Sequence, residues 1–378
     1  MNVIFTCGGT GGHINPAIAV ADLWKEKYPD SRILFIGADG GMEEQLVPKA
    51  GYELVTLPGC GLSRSLSFKG IKRNCKVVCQ MISSVNRCKK IIRDFGAKVV
   101  VGTGGYASFP ALMAAGLMKV PACVHESNAV PGVTTRMAAR WVDKILICFG
   151  QSEQYYKEKE KIQVVGMPVR SEFIYNDKGA CREKLGLDNR PVILSTFGSQ
   201  GAKAMNEMTA ELMYLEKEAG YPYQHIHAVG SYGWEWMPKL AEEKGVDIHG
   251  NGSIFLKEYI YDMPTAMAAA DIVIGRAGAS SCNEVAVAGI PNILIPSPNV
   301  TANHQEKNAM ALASNGAAVV ILEKDCTAAL VMEKITQLLG DKKAYEGMQK
   351  ALRDMAVPDC AERICTVMEE IVRAKESK

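Results

Sequence analysis

The sequence predicts an α/β protein built from two Rossmann-like domains in tandem. Short apolar runs alternate with amphipathic helical stretches, the cadence stops and restarts near the middle, and glycine-rich turns follow strands in both halves. Such alternation gives βαβ units and parallel sheets covered by helices on both faces. At 378 residues the chain exceeds one ordinary core and suits two.

In chain order, "NVIFT" reads as the first strand, "INPAIAVADLWKEK" as the first helix and "RILFIGA" as the next strand. "KVVVG", "ALMAAGLM" and "PACVHES" continue as strand, helix and strand. The cadence restarts at "RPVILSTFGSQGAKAMNEMTAELMYLEKEAG", then runs through "QHIHAVG", "DIHGNGSIFLKEYI", "ADIVIGRAGASSCNEVAVAG" and "PNILIPS". The boundary falls in "VVGMPVRSEF", where Pro ends a strand; "IYNDKGACREKLGLDNR" beyond it reads as polar connector. This divides the chain into 1–169 and 170–357. A last helix, from roughly Cys360 to Lys378, follows the break and N-cap signal "VPD". Pattern alone does not say which half it packs on.

Composition excludes several classes. The chain is 48% hydrophobic and 22% charged with a formal charge of +2, which carries no global nucleic-acid signature. Twelve Cys are scattered singly, and the closest pair, Cys75 and Cys79, has no His partners. That favours reduced thiols in the cytosol over disulfides or zinc. "MNVIFTC" lacks a basic leader and a cleavage site, and nowhere do 18 apolar residues run uninterrupted. The expectation is a chain neither secreted nor membrane-spanning.

Four glycine turns carry the chemistry: "CGGTGGH" (Gly8 to His13), "GTGGYAS" (Gly102 to Ser108), "FGSQGAK" (Gly198 to Lys203) and "GRAGASSCNE" (Gly275 to Glu284). Between a strand and a helix, glycine lets the backbone approach a ligand and turn its N–H groups inward, toward the positive end of the helix dipole. Phosphate is the natural guest. Glycine also ends strands and eases helix packing, so any one turn is weak evidence; four at strand ends are not. "GTGGYA" formally matches a dinucleotide fingerprint, and Glu126 ends the next strand where a ribose-binding acid would lie. "GGTGGH" fails that register, and no G-x-x-x-x-G-K-[ST] P-loop occurs. Phosphate-competent turns in both halves suit a diphosphate donor in one and an acceptor in the other.

"GGTGGH", "GGYAS", "HESNAVPG", "GMPVR", "GSQGA", "YIYDMP", "RAGASSCNE" and "NVTANHQEKNA", in this order and across nearly the whole chain, resemble the MurG family. That family transfers N-acetylglucosamine from UDP-N-acetylglucosamine to lipid I, giving lipid II for peptidoglycan and cell wall synthesis. The resemblance implies a GT-B-like fold with a cleft between the domains. Residues 1–169 would bind the acceptor and associate with membrane, 170–357 would bind the donor, and helix 358–378 would pack back on the first domain. It implies that Arg170 and the Ile260 backbone hold uracil, with Met263 nearby, and that Glu284 accepts from ribose hydroxyls. Ser199 and the turn of Gly278, Ala279, Ser280 and Ser281 would bind diphosphate beside the cation of Arg276. Gln305 and His304 would contact the sugar, as would Asn128 from the first half. Thr10, Gly11 and Gly12 are assigned to donor and acceptor alike, joining Gly104, Gly105 and Tyr106 around the lipid-linked pyrophosphate. Ala302 stands where a polar residue is expected, and Cys282 on the donor turn departs from the pattern.

The implied donor is α-linked and the product β1,4-linked, so transfer is one in-line displacement that needs a base for the acceptor hydroxyl. His13 is the first candidate, since imidazole titrates near about 6.5; Glu126 is the second. His125, flanked by strand, reads as structural. There is no D-x-D, so no metal or other cofactor is indicated. From Leu62 to Phe95, Arg64, Lys69, Lys72, Arg73, Lys76, Arg87, Lys89, Lys90 and Arg93 are opposed only by Asp94 and interleaved with Leu66, Phe68, Ile71, Val77, Val78, Met81 and Ile82. This reads either as a solvated helix face or as a surface for anionic inner-leaflet headgroups, which would place the protein peripherally on the cytoplasmic face of the cell membrane. RNA is a poorer partner, because aromatic platforms are missing. A UDP-sugar glycolipid synthase, a dinucleotide-dependent oxidoreductase and a UDP-sugar epimerase are the competing readings.

Overall fold

The computed structural model describes residues 1–58, 68–170, 172–250 and 252–377, with backbone alone for 68–79, Tyr175 and Thr301. The chain divides into two compact units, Met1–Val169 with Asp359–Lys378, and Arg170–Pro358.

Unit 1 holds strands β1 (Val3–Thr6), β2 (Ile33–Ala38), β3 (Glu53–Leu57), β4 (Val99–Gly102), β5 (Ala122–Glu126), β6 (Lys144–Ile147) and β7 (Ile162–Val164). Its helices are α1 (Gly11–Lys27), α2 (Glu43–Lys49), α3 (Phe68–Phe95), α4 (Ser108–Leu117) and α5 (Val133–Ala138). The strands pair in parallel in the order β3-β2-β1-β4-β5-β6-β7. β1 and β4 are buried along their whole length, which is why they read as unbroken apolar runs.

Unit 2 holds α6 (Glu172–Tyr175), α7 (Lys178–Leu185), β8 (Val192–Thr196), α8 (Lys203–Glu218), β9 (Gln224–Ala228), α9 (Met237–Glu243), β10 (Ile254–Lys257) and α10 (Met263–Ala269). It continues through β11 (Ile272–Gly275), α11 (Ala279–Ala288), β12 (Asn292–Leu294), α12 (His304–Ala313), β13 (Val319–Val320), α13 (Ala328–Gly340) and α14 (Lys342–Met355). The parallel order is β10-β9-β8-β11-β12-β13. Each sheet therefore reverses its strand order once, between β1 and β4 and between β8 and β11. Ligands of open α/β sheets bind outside the carboxyl ends of the strands at such points. All four glycine turns leave the four strands that flank them.

The segment read as connector after the boundary instead contains α7. Asp177 caps it by accepting from Ala180 N at 2.8 Å, Gly186 ends it at φ 68°, and Cys181 buries its inner face. α15 (Cys360–Glu376) belongs to unit 1 and packs on α1. Its buried stripe includes Ile364, Val367, Met368, Ile371 and Val372, whose burial contributes roughly 10 kcal/mol gross. Tyr28 adds a hydrogen bond to Glu369 at 2.8 Å.

In the basic, apolar segment, Leu62, Arg64 and Leu66 lie outside the described residues, as do the side chains of Phe68, Lys69, Ile71, Lys72, Arg73, Lys76, Val77 and Val78. Farther along α3, Val85, Cys88 and Ile92 are buried against the core, and Met81 packs there too rather than lining the surface. Ile82, Arg87, Lys90 and Arg93 are exposed.

Candidate functional site

At the first switch point, α1 begins at Gly11, earlier than the apolar periodicity suggests, so Gly11, Gly12 and His13 form its first turn with Thr10 as N-cap. The first amides of a helix have no carbonyl within it to receive them, which leaves an anion site there. The turn is braced from below by Glu43 of α2. Its buried carboxylate accepts from Ala38 N at 2.7 Å and from Gly9 N at 3.2 Å. β-Carbons at Gly37 and Gly41 would each stand 2.4 Å from this side chain. Glu43 was not among the sequence candidates; its signal is the paired glycine before the acids in "DGGMEE".

The turn after β4 closes on the first. A β-carbon on Gly105 would stand 2.1 Å from Gly8 O, so only glycine allows this backbone contact. Thr103 Oγ1 donates to His13 O at 2.6 Å, and Ser108 Oγ reaches Thr6 O at 2.9 Å and Gly104 O at 2.6 Å. Thr10, Gly11, Gly12, Gly104, Gly105 and Tyr106 are thus brought together at one switch point. His13 Nδ1 lies 3.2 Å from Gly8 O and 3.2 Å from Thr10 Oγ1. A carbonyl only accepts, so Nδ1 carries the proton and the neutral ring has its basic lone pair on Nε2.

The other first-half candidates stand differently. Glu126 ends β5, buried, and its Oε1 accepts from Asn128 N at 2.9 Å and Nδ2 at 3.1 Å, while Oε2 accepts from Gly132 N at 3.0 Å. Both oxygens organise their own loop, which is the geometry of a positioning carboxylate. Asn128 is held in that same loop. His125 is fully buried with Nε2 2.7 Å from Gly166 O, and burial lowers its pKa below the usual imidazole range.

At the second switch point, the turn after β8 carries exposed Ser199 between Gly198 (φ 93°) and Gly201 (φ 78°), ahead of α8. Gly278 caps α11, with Ala279, Ser280 and Ser281 in its first turn. A β-carbon on Gly275 would meet Thr196 O at 3.0 Å, so the β8 and β11 turns stand side by side. Cys282 is buried and adds no side chain to the turn surface. Glu284 lies one turn on; burial pushes its carboxyl up, opposed by the nearby Arg170 guanidinium. Arg170 also lies over the Phe173 ring, 5.3 Å from its centroid.

Arg276 has partners of its own within unit 2. Its guanidinium donates to Ile295 O at 3.0 Å and pairs with Glu323 Oε2 at 2.5 Å, across the ends of β12 and β13. The pair is half-buried to buried, at 12% and 21% side-chain exposure, so one carboxylate already shares the positive charge predicted for the diphosphate. Gln305 on α12 accepts from Ser297 N at 2.9 Å, so its amide NH2 is what it can offer a sugar. His304 opens α12 behind consecutive left-handed Ala302 and Asn303. Ile260 and Met263 flank Asp262, which caps α10. Among the described residues no cluster of His, Cys, Asp or Glu is arranged to hold a metal ion.

The family 28 glycosyltransferase N-terminal domain matches residues 3–147, and the corresponding C-terminal domain matches residues 192–364. The chain belongs to glycosyltransferase family 28. Within the family, a UDP-N-acetylglucosamine–N-acetylmuramyl-(pentapeptide) pyrophosphoryl-undecaprenol N-acetylglucosamine transferase of Acetivibrio thermocellus is 40% identical over 377 residues, 99% of each chain. A protein of the same name from Caldanaerobacter subterraneus is 38% identical, covering 98% of this chain and all of its own. The crystal structure of Acinetobacter baumannii MurG superposes with a TM-score of 0.77 at 24% identity, over 98% of this chain and 99% of the other. The fold is accordingly the GT-B-like pair of Rossmann-like domains. A Neisseria meningitidis UDP-GlcNAc 2-epimerase shares it with a TM-score of 0.67 at 16% identity, over 98% of this chain and 100% of its own, so fold alone does not choose between transfer and epimerisation.

Proposed function

We propose that this family 28 enzyme transfers N-acetylglucosamine from UDP-N-acetylglucosamine to the muramyl 4-hydroxyl of undecaprenyl-pyrophosphoryl-N-acetylmuramoyl-pentapeptide, lipid I, giving lipid II. The observation that carries this is the pair of phosphate-competent switch points, in a chain that aligns end to end with transferases of that name. Unit 1 takes the lipid-linked pyrophosphate at the first turn of α1 and the Gly104–Tyr106 turn. Unit 2 takes the donor diphosphate at Ser199 and the first turn of α11, uracil at Arg170 and Ile260, and ribose at Glu284. The muramyl O4 attacks C1 of the donor sugar as His13 Nε2 removes its proton; the C1–O bond to diphosphate breaks and UDP leaves. One displacement turns the α linkage into β. Helix N-termini and backbone amides stabilise the charge that develops on UDP. Glu126 positions the Asn128 loop.

We further propose that the exposed Arg87, Lys90 and Arg93 of α3, with Ile82 among them, hold unit 1 to the anionic cytoplasmic leaflet, each cation contributing ~1 kcal/mol. No helix among the described residues is long and apolar enough to cross a membrane. Co-sedimentation with anionic and zwitterionic vesicles tests this: retention by the anionic set alone is expected, and equal partition would refute it. The function itself is tested by supplying radiolabelled donor with a short-chain lipid I analogue. Label in the lipid product is expected, whereas UDP release with epimer formation and no labelled lipid would overturn the transferase reading.

A further inference from the structure

Unit 2 buries a chain of polar side chains that the reaction above does not use. Glu216 and Asn206 of α8, Ser195 of β8, and His225 and His227 of β9 are each 0% or 1% exposed. Glu216 Oε1 and Oε2 lie 3.0 and 3.1 Å from His225 Nδ1, and His225 Nε2 lies 2.7 Å from Ser195 Oγ. Ser195 Oγ is 2.7 Å from His227 Nδ1, His227 Nε2 is 3.2 Å from Asn206 Oδ1, and Asn206 Nδ2 donates to Val229 O at 2.9 Å.

The directions of these bonds are fixed from one end. The Val229 carbonyl only accepts, so Asn206 gives it the amide NH2 and turns Oδ1 to His227. His227 Nε2 must then carry a proton. Burial and the neighbouring His225 hold His227 well below the usual imidazole range, at about 3, so the ring is neutral and Nδ1 accepts from the Ser195 hydroxyl. Ser195 Oγ in turn accepts from His225 Nε2. A single proton remains between His225 Nδ1 and Glu216, whichever of the two carries it. Apolar residues in these positions would commonly be as stable or more so, so stability does not explain the chain.

Its far end does. A β-carbon on Gly201 would stand 2.1 Å from Val229 O, one on Gly230 would stand 2.1 Å from Gly201 N, and Tyr232 N donates to Gln200 O at 3.2 Å. A β-carbon on Gly233 would stand 2.1 Å from Asn206 Nδ2. One buried amide therefore secures the loop after β9 against the turn after β8.

We propose that Asn206 is a positioning residue for the donor diphosphate, its amide oriented by the relay from Glu216 through His225, Ser195 and His227 and holding the Gly198–Gly201 turn through Val229 and Gly230. The proposal rests on the reading of that turn as the diphosphate site.

Three variants of the full chain test it: Ser195→Ala, Ser195→Thr and Asn206→Asp. Amide hydrogen exchange is read over 198–206 and 228–233, and UDP affinity by calorimetry. Ser195→Ala and Asn206→Asp are expected to speed exchange there and to weaken UDP by about tenfold, the effect of losing one buried hydrogen bond. Ser195→Thr keeps the hydroxyl and is expected to stay within about twofold of wild type. A packing role reverses that order, because an added methyl strains a full core more than a lost hydroxyl does. Ser195→Thr faring worse than Ser195→Ala, or folded Asn206→Asp with unchanged exchange, would overturn the relay. If Ser195→Ala does not fold, Asn206→Asp against wild type decides by exchange. Wild type that binds no UDP would sink the donor reading, and exchange would still judge the relay.

Discussion

The ring of His13 lies so close to Gly104 that a β-carbon on Gly104 would stand 2.8 Å from Cδ2 and 3.1 Å from Nε2. The two turns of the first switch point therefore set each other's geometry, and the atom proposed to take the proton is the one that would be displaced. Gly104 also has φ 101°, a conformation costly to any other residue. Gly104→Ala is expected to lower kcat by about a hundredfold, the usual effect of an ångström-scale misplacement. UDP affinity, assigned by the proposed function to unit 2, should stay within about twofold. Transfer kinetics and UDP calorimetry on the same sample check both.

For His13 itself, removal of the imidazole is expected to cost about 10²–10⁴ in kcat, the range for a lost general base. The donor KM should change little. His13→Ala with normal turnover and a large loss of donor affinity would move the residue from proton transfer to donor binding.

Arg276 gives the opposite pattern. Its pairing with Glu323 across the ends of β12 and β13 gives it a structural role, so Arg276→Ala leaves a partly buried carboxylate without its partner. A loss of about 1–3 kcal/mol is expected. The affinity of folded protein for UDP should change by less than about threefold, well short of a full charge-assisted bond. Urea unfolding and calorimetry separate the two; unchanged unfolding with UDP weakened by about tenfold would restore the diphosphate role.

Much of this was legible in the sequence because parallel strands buried on both faces appear as apolar runs, as with Val3–Thr6 and Val99–Gly102. The glycine turns were legible because φ above zero and backbone contact at Gly105 and Gly201 leave no other residue. α7 was missed although Asp177 and Gly186 mark both its ends, since its polar face outweighs the single buried Cys181. Glu43, the pairing of Arg276 and the Asn206 relay were not legible. Each depends on a partner from another element: Glu43 on Gly9 N, Arg276 on Glu323, and His227 on Asn206. Spacing along the chain carries no record of such pairs.

The last expectation concerns acid. His227 is neutral in the folded protein down to about 3, whereas in the unfolded chain it takes a proton near about 6.5. Between those values the unfolded state binds more protons, so stability rises with pH there; it is whole above the unfolded value and lost as pH falls through the window. His125, also buried and lowered, acts in the same direction from unit 1. The loss should amount to several kcal/mol, at about 1.4 kcal/mol per pH unit of difference. Wild type is therefore expected to show a urea midpoint that falls steadily from about pH 6.5 toward about 4. His227→Gln, which can donate to Asn206 and accept from Ser195 without titrating, should flatten that fall. Parallel slopes in the two proteins would mean that His227 is not the residue whose protonation unfolds unit 2.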